Sequence, residues 1–235
     1  MSEVIQLFSG GKDSFLSTCK LVEEGYKVNL IFYENGCGLK GNNIDHGVNR
    51  LIKKYGDKVN YIGKRNVSAI WRELIYEYFN MTPSEIIQEY GEVPISQFNC
   101  LTCRVSMYIY SIIVAKQLNI KYISDGARRD QLFVIEQDVM INKFEKLFED
   151  NDLKLILPVY NLNSDWEEKN ELLIRGFNPK VLEPQCLLGI PMKSNNISSE
   201  EIMGTVNVYD KLIKNKIQDI IKRYMNVNLN RGEII

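Results

Sequence analysis

The chain reads Val4-Ile5-Gln6-Leu7-Phe8-Ser9-Gly10-Gly11-Lys12-Asp13-Ser14 near its N-terminus, an apolar run followed by a Ser-Gly-Gly turn. The apolar run has strand composition, and from Asp13 to about Glu24 the apolar residues recur at helical spacing. After Gly25, which suits a helix C-cap, residues 28–33 have the composition of a second buried strand. A strand, tight loop, helix and strand in this order predict a parallel sheet.

Strands and helices continue to alternate along the chain. Further strands are predicted at 59–62, 121–124 and 153–157, and helices near 51–55, 70–78, 100–118, 165–173 and 198–224. The segment 82–97, with its prolines and glycine, is interpreted as irregular. We therefore predict an α/β fold: a doubly wound, mostly parallel sheet with a C-terminal helical extension. The expected division is a nucleotide-binding domain over 1–160 and an extension over 161–235, packed on the same domain.

The glycine pair Gly10-Gly11 lies between a predicted strand and a predicted helix, so backbone N–H groups can approach a phosphate closely. Lys12 supplies a positive charge for the same anion, and Asp13 is suited to hold Mg²⁺. Ser9 and Ser14 add hydroxyl donors. The longer Gly-x4-Gly-Lys-Ser/Thr loop is absent. The pattern favours a nucleotide phosphate site over an ordinary turn.

These residues resemble the signature of the PP-loop ATP pyrophosphatases, which is Ser-Gly-Gly-x-Asp-Ser after the first strand. The resemblance implies an adenine nucleotide alpha hydrolase-like fold and an enzyme that cleaves ATP to AMP and pyrophosphate. It also implies that residues 9–14 and Gly126 bind ATP. Lys12, Asp13 and Asp130 are the expected catalytic residues.

Three cysteines form a second candidate site. Cys100 and Cys103 are spaced i, i+3 at the predicted start of a helix, whose N-terminus would favour thiolates. Cys186 follows the last predicted strand. A CxxC pair is compatible with redox, zinc or iron–sulfur roles, and three ligands without an obvious fourth favour a [4Fe–4S] cluster with one open iron. Buried structural cysteines are one alternative. Zn²⁺ with Cys37 or His46 as a fourth ligand is another.

The order of these features is similar to that of iron–sulfur-dependent tRNA 2-thiolation enzymes of the same superfamily, the 2-thiocytidine and 2-thiouridine synthetases. That resemblance covers roughly residues 4–190, including the segment 126–131 after a strand. It implies adenylation of a nucleobase carbonyl oxygen and its replacement by sulfur. Two positions depart from the pattern: Ala127 replaces a histidine and Gln131 replaces a second acid. Asp130 matches the pattern.

The expected cofactors are ATP, Mg²⁺ and the cluster, and the expected partners are tRNA, a sulfur donor and a second copy of the chain. An ammonia-using amide or nitrile synthase with zinc at the cysteines, similar to 7-cyano-7-deazaguanine synthases, remains an alternative. A non-catalytic nucleotide- or cluster-sensing module is the third hypothesis.

The amino-acid composition limits the classes to which this protein can belong. With 45% apolar residues, 25% charged residues and a net charge of −1, the 235 residues suit a folded domain without a broad basic surface. No basic leader precedes the first strand and no apolar run reaches about 20 residues, so we expect a cytoplasmic protein without a membrane contact. Arg128 and Arg129 are equally compatible with phosphate or RNA binding and with simple solvation.

Overall fold

The computed structural model describes residues 1–36, 44–131, 133–179, 186 and 197–231, the last five of these by backbone only. Cys37, weighed above as a zinc ligand, lies outside the described residues. The strands are β1 (Glu3–Leu7), β2 (Lys27–Glu34), β3 (Val59–Asn66), β4 (Tyr122–Ser124) and β5 (Lys154–Ile156). The helices are α1 (Lys12–Glu23), α2 (Ile44–Tyr55), α3 (Ser68–Phe79), α4 (Pro83–Tyr90), α5 (Ile95–Leu118), α6 (Asp138–Glu149), α7 (Asp165–Ile174), α8 (Ser199–Val208) and α9 (Lys214–Arg231).

All five strands pair in parallel, in the order β3-β2-β1-β4-β5. Strands β2 and β3 are added on one side of β1. After helices α3, α4 and α5, strands β4 and β5 are added on its other side. The order reverses between β1 and β4, where Val4 pairs with Tyr122. In open α/β sheets, ligands bind beyond the carboxyl ends of strands at such a switch point. The predicted doubly wound fold is confirmed.

Alternate residues of the sheet face two separate apolar cores. Val4 and Leu30 belong to the core under α1 and α2, whereas Ile5 and Ile31 belong to the core under α3, α5 and α6. Because strand side chains alternate between faces, a sheet covered by helices on both sides needs apolar residues at every position. The predicted domain boundary near 160 remains a prediction, although α7 packs on α1 and α9 packs on α5.

Several elements differ from the sequence-based expectation. The segment predicted to be irregular contains α4, which begins with a capping box between Thr82 and Glu85. The long central helix α5 begins at Ile95, five residues before the predicted start, with Pro94 as its N-cap. The amphipathic helix α6 was not predicted. The predicted C-terminal helix consists of α8 and α9 joined by a π-helical turn at Tyr209–Ile213.

One helix in the described part of the chain, α5, has the length and apolar composition to span a membrane. Its most apolar stretch is 78% buried inside the protein, as expected for the core helix of a folded domain. The apolar character of α5 is accounted for by the second core, to which it contributes residues from Phe98 to Ala115.

Candidate active site

The loop between β1 and α1 has the geometry of an anion site. Gly10 adopts φ 80°, a conformation that favours glycine. The Gly11 N–H donates to Ser9 Oγ at 3.1 Å, and Ser14 Oγ donates to the Gly11 carbonyl at 3.0 Å. The N-cap residue of α1 is Gly11, which has no side chain that could cap the helix. Its first-turn N–H groups therefore point from a helix N-terminus toward the carboxyl edge of the sheet, where a phosphate would satisfy them.

Gly126 brings the loop after β4 against this first turn. A Cβ atom at position 126 would lie 2.8 Å from the backbone nitrogen of Ser14 and 3.0 Å from the carbonyl carbon of Asp13. Any side chain would push the two loops apart because both neighbouring atoms are backbone. The structure thus gives Gly126 a close-packing role at the predicted nucleotide site, while its contact with ATP remains a prediction.

Arg128 lies at the centre of the site, with 1% of its side chain exposed. The interpretation of Arg128 as a solvated residue is wrong, since four carboxylates surround its guanidinium. Nη1 donates to Asp13 Oδ1 at 3.0 Å and Nη2 donates to Asp130 Oδ2 at 2.6 Å. Further bonds join the guanidinium to Glu168 Oε2 at 2.8 Å and Asp165 Oδ1 at 3.1 Å. Arg129, in contrast, is 55% exposed and pairs with Asp138.

Lys12 and Glu168 complete the charged cluster. Lys12 Nζ lies 3.0 Å from Glu168 Oε2, and Glu168 is fully buried at the first turn of α7. Burial raises the pKa of Glu168 to about 7, and the nearby Asp13 carboxylate adds to the shift. Burial opposes the charge on Lys12, but the hydrogen bond to Glu168 and the charges of Glu168, Asp165 and Asp13 together outweigh burial and raise the Lys12 pKa. Sequence reasoning did not identify Glu168, because only the fold brings α7 onto α1.

Asp13 is already bonded through both carboxylate oxygens. Arg128 donates to Oδ1 and Gln131 Nε2 donates to Oδ2 at 3.0 Å. The cation that faces Asp13 in this structure is thus an arginine of the protein, and a magnesium ion on Asp13 does not fit without displacing these donors. The proposed magnesium role of Asp13 stays a prediction. Lys12, Asp13 and Asp130 nevertheless belong to one charged cluster, and their catalytic roles remain predictions.

The cysteine pair does not lie at a helix N-terminus. Because α5 begins at Ile95, Cys100 and Cys103 lie in its second and third turns. Burial raises the pKa of Cys100 to about 11 and that of Cys103 to about 12. The expectation that the helix dipole would favour thiolates here is therefore wrong. The nearby positive charge of Arg104 opposes both shifts.

The fold brings Cys186 near this pair. The electrostatic influence of Cys186 reaches both Cys100 and Cys103, although 83 residues separate Cys186 from Cys103 in the sequence. All three thiols are free of disulfides, and Asn35 Nδ2 donates to Cys103 Sγ at 2.8 Å. Within the ranges that the structure describes, no set of three or more Cys, His, Asp or Glu side chains is arranged to hold a metal ion.

A buried polar cluster lies between the two sites. Arg104, one residue after Cys103, pairs with Asp125 at the carboxyl end of β4, and Tyr108 donates its hydroxyl to Asp125 Oδ2 at 2.6 Å. Glu136 Oε1 lies 3.6 Å from Arg104 Nη2. Glu136 also interacts electrostatically with Asp13. Arg104 thus joins Asp125 and Glu136 into one buried cluster directly after Cys103.

Comparison with known proteins shows the fold. No protein-family model and no curated protein sequence matches the chain. The structure is similar to a 4-thiouridine synthetase solved in complex with RNA and with bound ATP, with a TM-score of 0.63 and 11% identity over 96% of this chain and 53% of that chain. The chain thus spans about half the length of that enzyme. The fold expected from the PP-loop resemblance is confirmed.

Two further solved structures match with lower TM-scores. One is a predicted tRNA methyltransferase subunit from Methanocaldococcus jannaschii, with a TM-score of 0.46 and 18% identity over 85% of this chain and 100% of that chain. The other is NMN synthetase from Francisella tularensis, with a TM-score of 0.49 and 11% identity over 99% of this chain and 87% of that chain.

Proposed function

We propose that this protein is an ATP-dependent sulfurtransferase that adenylates a nucleobase carbonyl oxygen, releases pyrophosphate and replaces the oxygen with sulfur. One observation carries the proposal: the fold brings Cys186 to the Cys100/Cys103 pair, and Arg104 and Glu136 link these cysteines to the Ser-Gly-Gly loop. The groups proposed to bind phosphate and sulfur would therefore share one edge of the sheet.

The residues of the loop suit the adenylation step. First-turn N–H groups of α1 and the Lys12 ammonium would bind the phosphates, and the tight turn at Gly10 lets the backbone approach them. Arg128 and Lys12 bring positive charge to a site where negative charge develops on the departing pyrophosphate. Adenylation makes the carbonyl oxygen a good leaving group, so sulfur can replace it. Asp130 is proposed to position Arg128, whose guanidinium it binds at two points.

The cysteines suit the sulfur half of the reaction. Cys100, Cys103 and Cys186 would hold a [4Fe–4S] cluster, which when bound supplies an open iron for sulfide. Three free thiols with a neighbouring arginine suit an anionic iron–sulfur group. The Asn35 amide would then orient or tune the Cys103 sulfur.

The proposed acceptor is tRNA. The fold is shared with a 4-thiouridine synthetase that was solved with RNA and bound ATP, which supports both ligands here. A sulfur donor and a homodimer are further elements of the proposal.

Nucleotide chemistry is tested by incubating the purified protein with ATP, sulfide and tRNA from cells that lack it. We expect AMP and pyrophosphate in equal amounts, together with a thiolated nucleoside detected by mass spectrometry. The Asp13→Asn variant should form neither product, because the carboxylate that pairs with Arg128 is replaced by a neutral amide. Conversion of ATP to ADP and phosphate, or the absence of any thionucleoside, would contradict the proposal.

The sulfur site is tested by anaerobic reconstitution with iron and sulfide. The Cys103→Ala variant should lose the visible absorbance of the cluster and the thiolation activity. Cys19→Ala is the matched control, because Cys19 is buried in α1 away from the other cysteines and should keep both. Stoichiometric zinc without iron, with nitrogen rather than sulfur transferred, would favour the ammonia-using synthase instead.

A further inference from the structure

Glu136 is a buried carboxyl group without a complete set of partners. Its side chain is 6% exposed, and its Oε2 atom is buried with no hydrogen-bond partner among the described residues. Its other oxygen lies 3.6 Å from Arg104 Nη2, which is longer than a hydrogen bond. Since an unpaired buried carboxyl oxygen destabilises a folded protein, a purely structural role would be better served by an apolar side chain or by a completed network.

The backbone holds Glu136 rigidly in place. Gln97 Oε1 accepts a hydrogen bond from the Val134 N–H at 3.1 Å, and the Tyr160 hydroxyl donates to the Glu136 carbonyl at 2.9 Å. The short 3₁₀ turn Val134–Glu136 is thus fixed from both sides. A catalytic side chain that is carried by a rigid segment of backbone keeps the position that the reaction needs.

Glu136 lies beside Arg104, which follows Cys103 in the chain and pairs with Asp125 at the carboxyl end of β4. Its charge interacts with Asp13 and Arg128 of the nucleotide site and influences the Cys100 thiol. In the proposed reaction the nucleobase is adenylated at the nucleotide loop and receives sulfur from the cysteines, so we expect it to lie close to Glu136.

We infer that Glu136 is the general base for the acceptor, taking the ring N–H proton from a lactam nucleobase, in which a ring N–H adjoins a carbonyl. The inference rests on the proposed function and names its substrate class. As the carbonyl oxygen bonds to the α-phosphorus, the bond from that phosphorus to the bridging oxygen of pyrophosphate breaks. The N–H electron pair forms the ring C=N bond, and the proton moves to Glu136. No oxidant or reductant is required.

The surroundings of Glu136 strengthen it as a base. Burial raises its pKa to about 8, and the Asp125 and Asp13 carboxylates add to the shift while Arg104 and Arg128 oppose it. A base with a pKa near the working pH combines a sizeable ionised fraction with a strong affinity for the proton.

The test compares Glu136→Gln with the matched control Glu145→Gln, which changes an exposed carboxylate on α6. Acceptor-dependent AMP release is measured from pH 6 to pH 9 with saturating ATP and tRNA from cells that lack the protein. Because the base acts as a carboxylate, the wild-type and control rates should rise roughly tenfold per pH unit and level off near pH 8. Glu136→Gln should be about 100-fold slower without this rise, and its affinity for ATP should be unchanged.

The outcomes separate this inference from the proposed function. A wild-type protein that forms no AMP with tRNA overturns the proposed function, and the role of Glu136 falls with it. If the wild type is active and Glu136→Gln has the same rate and the same pH profile, only the role of Glu136 as general base is overturned. A wild-type rate that falls with rising pH, or sulfur recovered only in cytidine, also overturns it, because the cytosine ring nitrogen beside the carbonyl carries no hydrogen. Glu136→Asp should fold and regain part of the rate.

Discussion

Arg128 Nη1 lies 3.0 Å from Asp13 Oδ1, although 115 residues separate the two in the sequence. This ion pair joins the first loop of the sheet to the loop after β4, across the switch point between β1 and β4. It makes an arginine, whose charge does not titrate, the permanent cation at the proposed site of ATP binding.

Replacing Arg128 should destabilise the protein strongly. Arg128→Met leaves four carboxylates without their shared cation, and we expect the free energy of unfolding to fall by about 3–5 kcal/mol. Urea denaturation would measure the change. Arg129→Met changes the next residue, which is exposed, and should leave the free energy of unfolding nearly unchanged. Equal effects of the two substitutions would show that the buried cluster does not stabilise the fold.

Adding one methyl group at Gly126 should weaken ATP binding. The Cβ of Gly126→Ala would meet backbone atoms of Asp13 and Ser14, so we expect a loss of about 1–3 kcal/mol of stability and a weaker affinity for ATP. The matched control is Gly47→Ala in α2, where the new Cβ lies 3.4 Å from the Phe8 ring and helix propensity improves. Calorimetric titration with ATP would compare the two; unchanged affinity in Gly126→Ala would contradict the expected loop contact.

Glu168 should make stability depend on pH. Its pKa in the folded protein, about 7, lies above the ordinary value of 4.5, so the folded state binds the proton more tightly. This contribution to stability is complete below pH 4.5 and is lost as the pH rises toward and through 7. Melting curves from pH 4.5 to 8 should therefore show a steeper decline for the wild type than for Glu168→Gln, by up to about 3 kcal/mol. Parallel curves would contradict the assigned protonation.

Asn99 should matter more for activity than for stability. Its side chain is 4% exposed, and neither its amide nitrogen nor its amide oxygen has a partner among the described residues. An unpaired buried amide lowers stability by roughly 1–3 kcal/mol. We therefore expect Asn99→Leu to melt no lower than the wild type while thiolation activity falls. A marked loss of stability with normal activity would indicate that Asn99 has only a structural role.

Local patterns in the sequence predicted the strands and the nucleotide loop, because buried parallel strands and a Ser-Gly-Gly turn have short-range signatures. Helix α6 was overlooked although Phe144, Leu147 and Phe148 follow helical spacing. The start of α5 was misplaced because the polar residues before Cys100 are buried by tertiary contacts. The roles of Arg128, Glu136 and Glu168 could not be predicted, since their partners lie on other elements and nothing in local spacing encodes those pairs.

The pairing of β1 with β4 also bears on synthesis of the protein. While the ribosome adds residues, β1 can align with β2 early, but its other edge stays open until Tyr122–Ser124 have emerged. An exposed strand edge on a nascent chain invites pairing with other chains. Glu168 emerges later still, so the charged cluster around Arg128 can be completed only after most of the chain has left the ribosome.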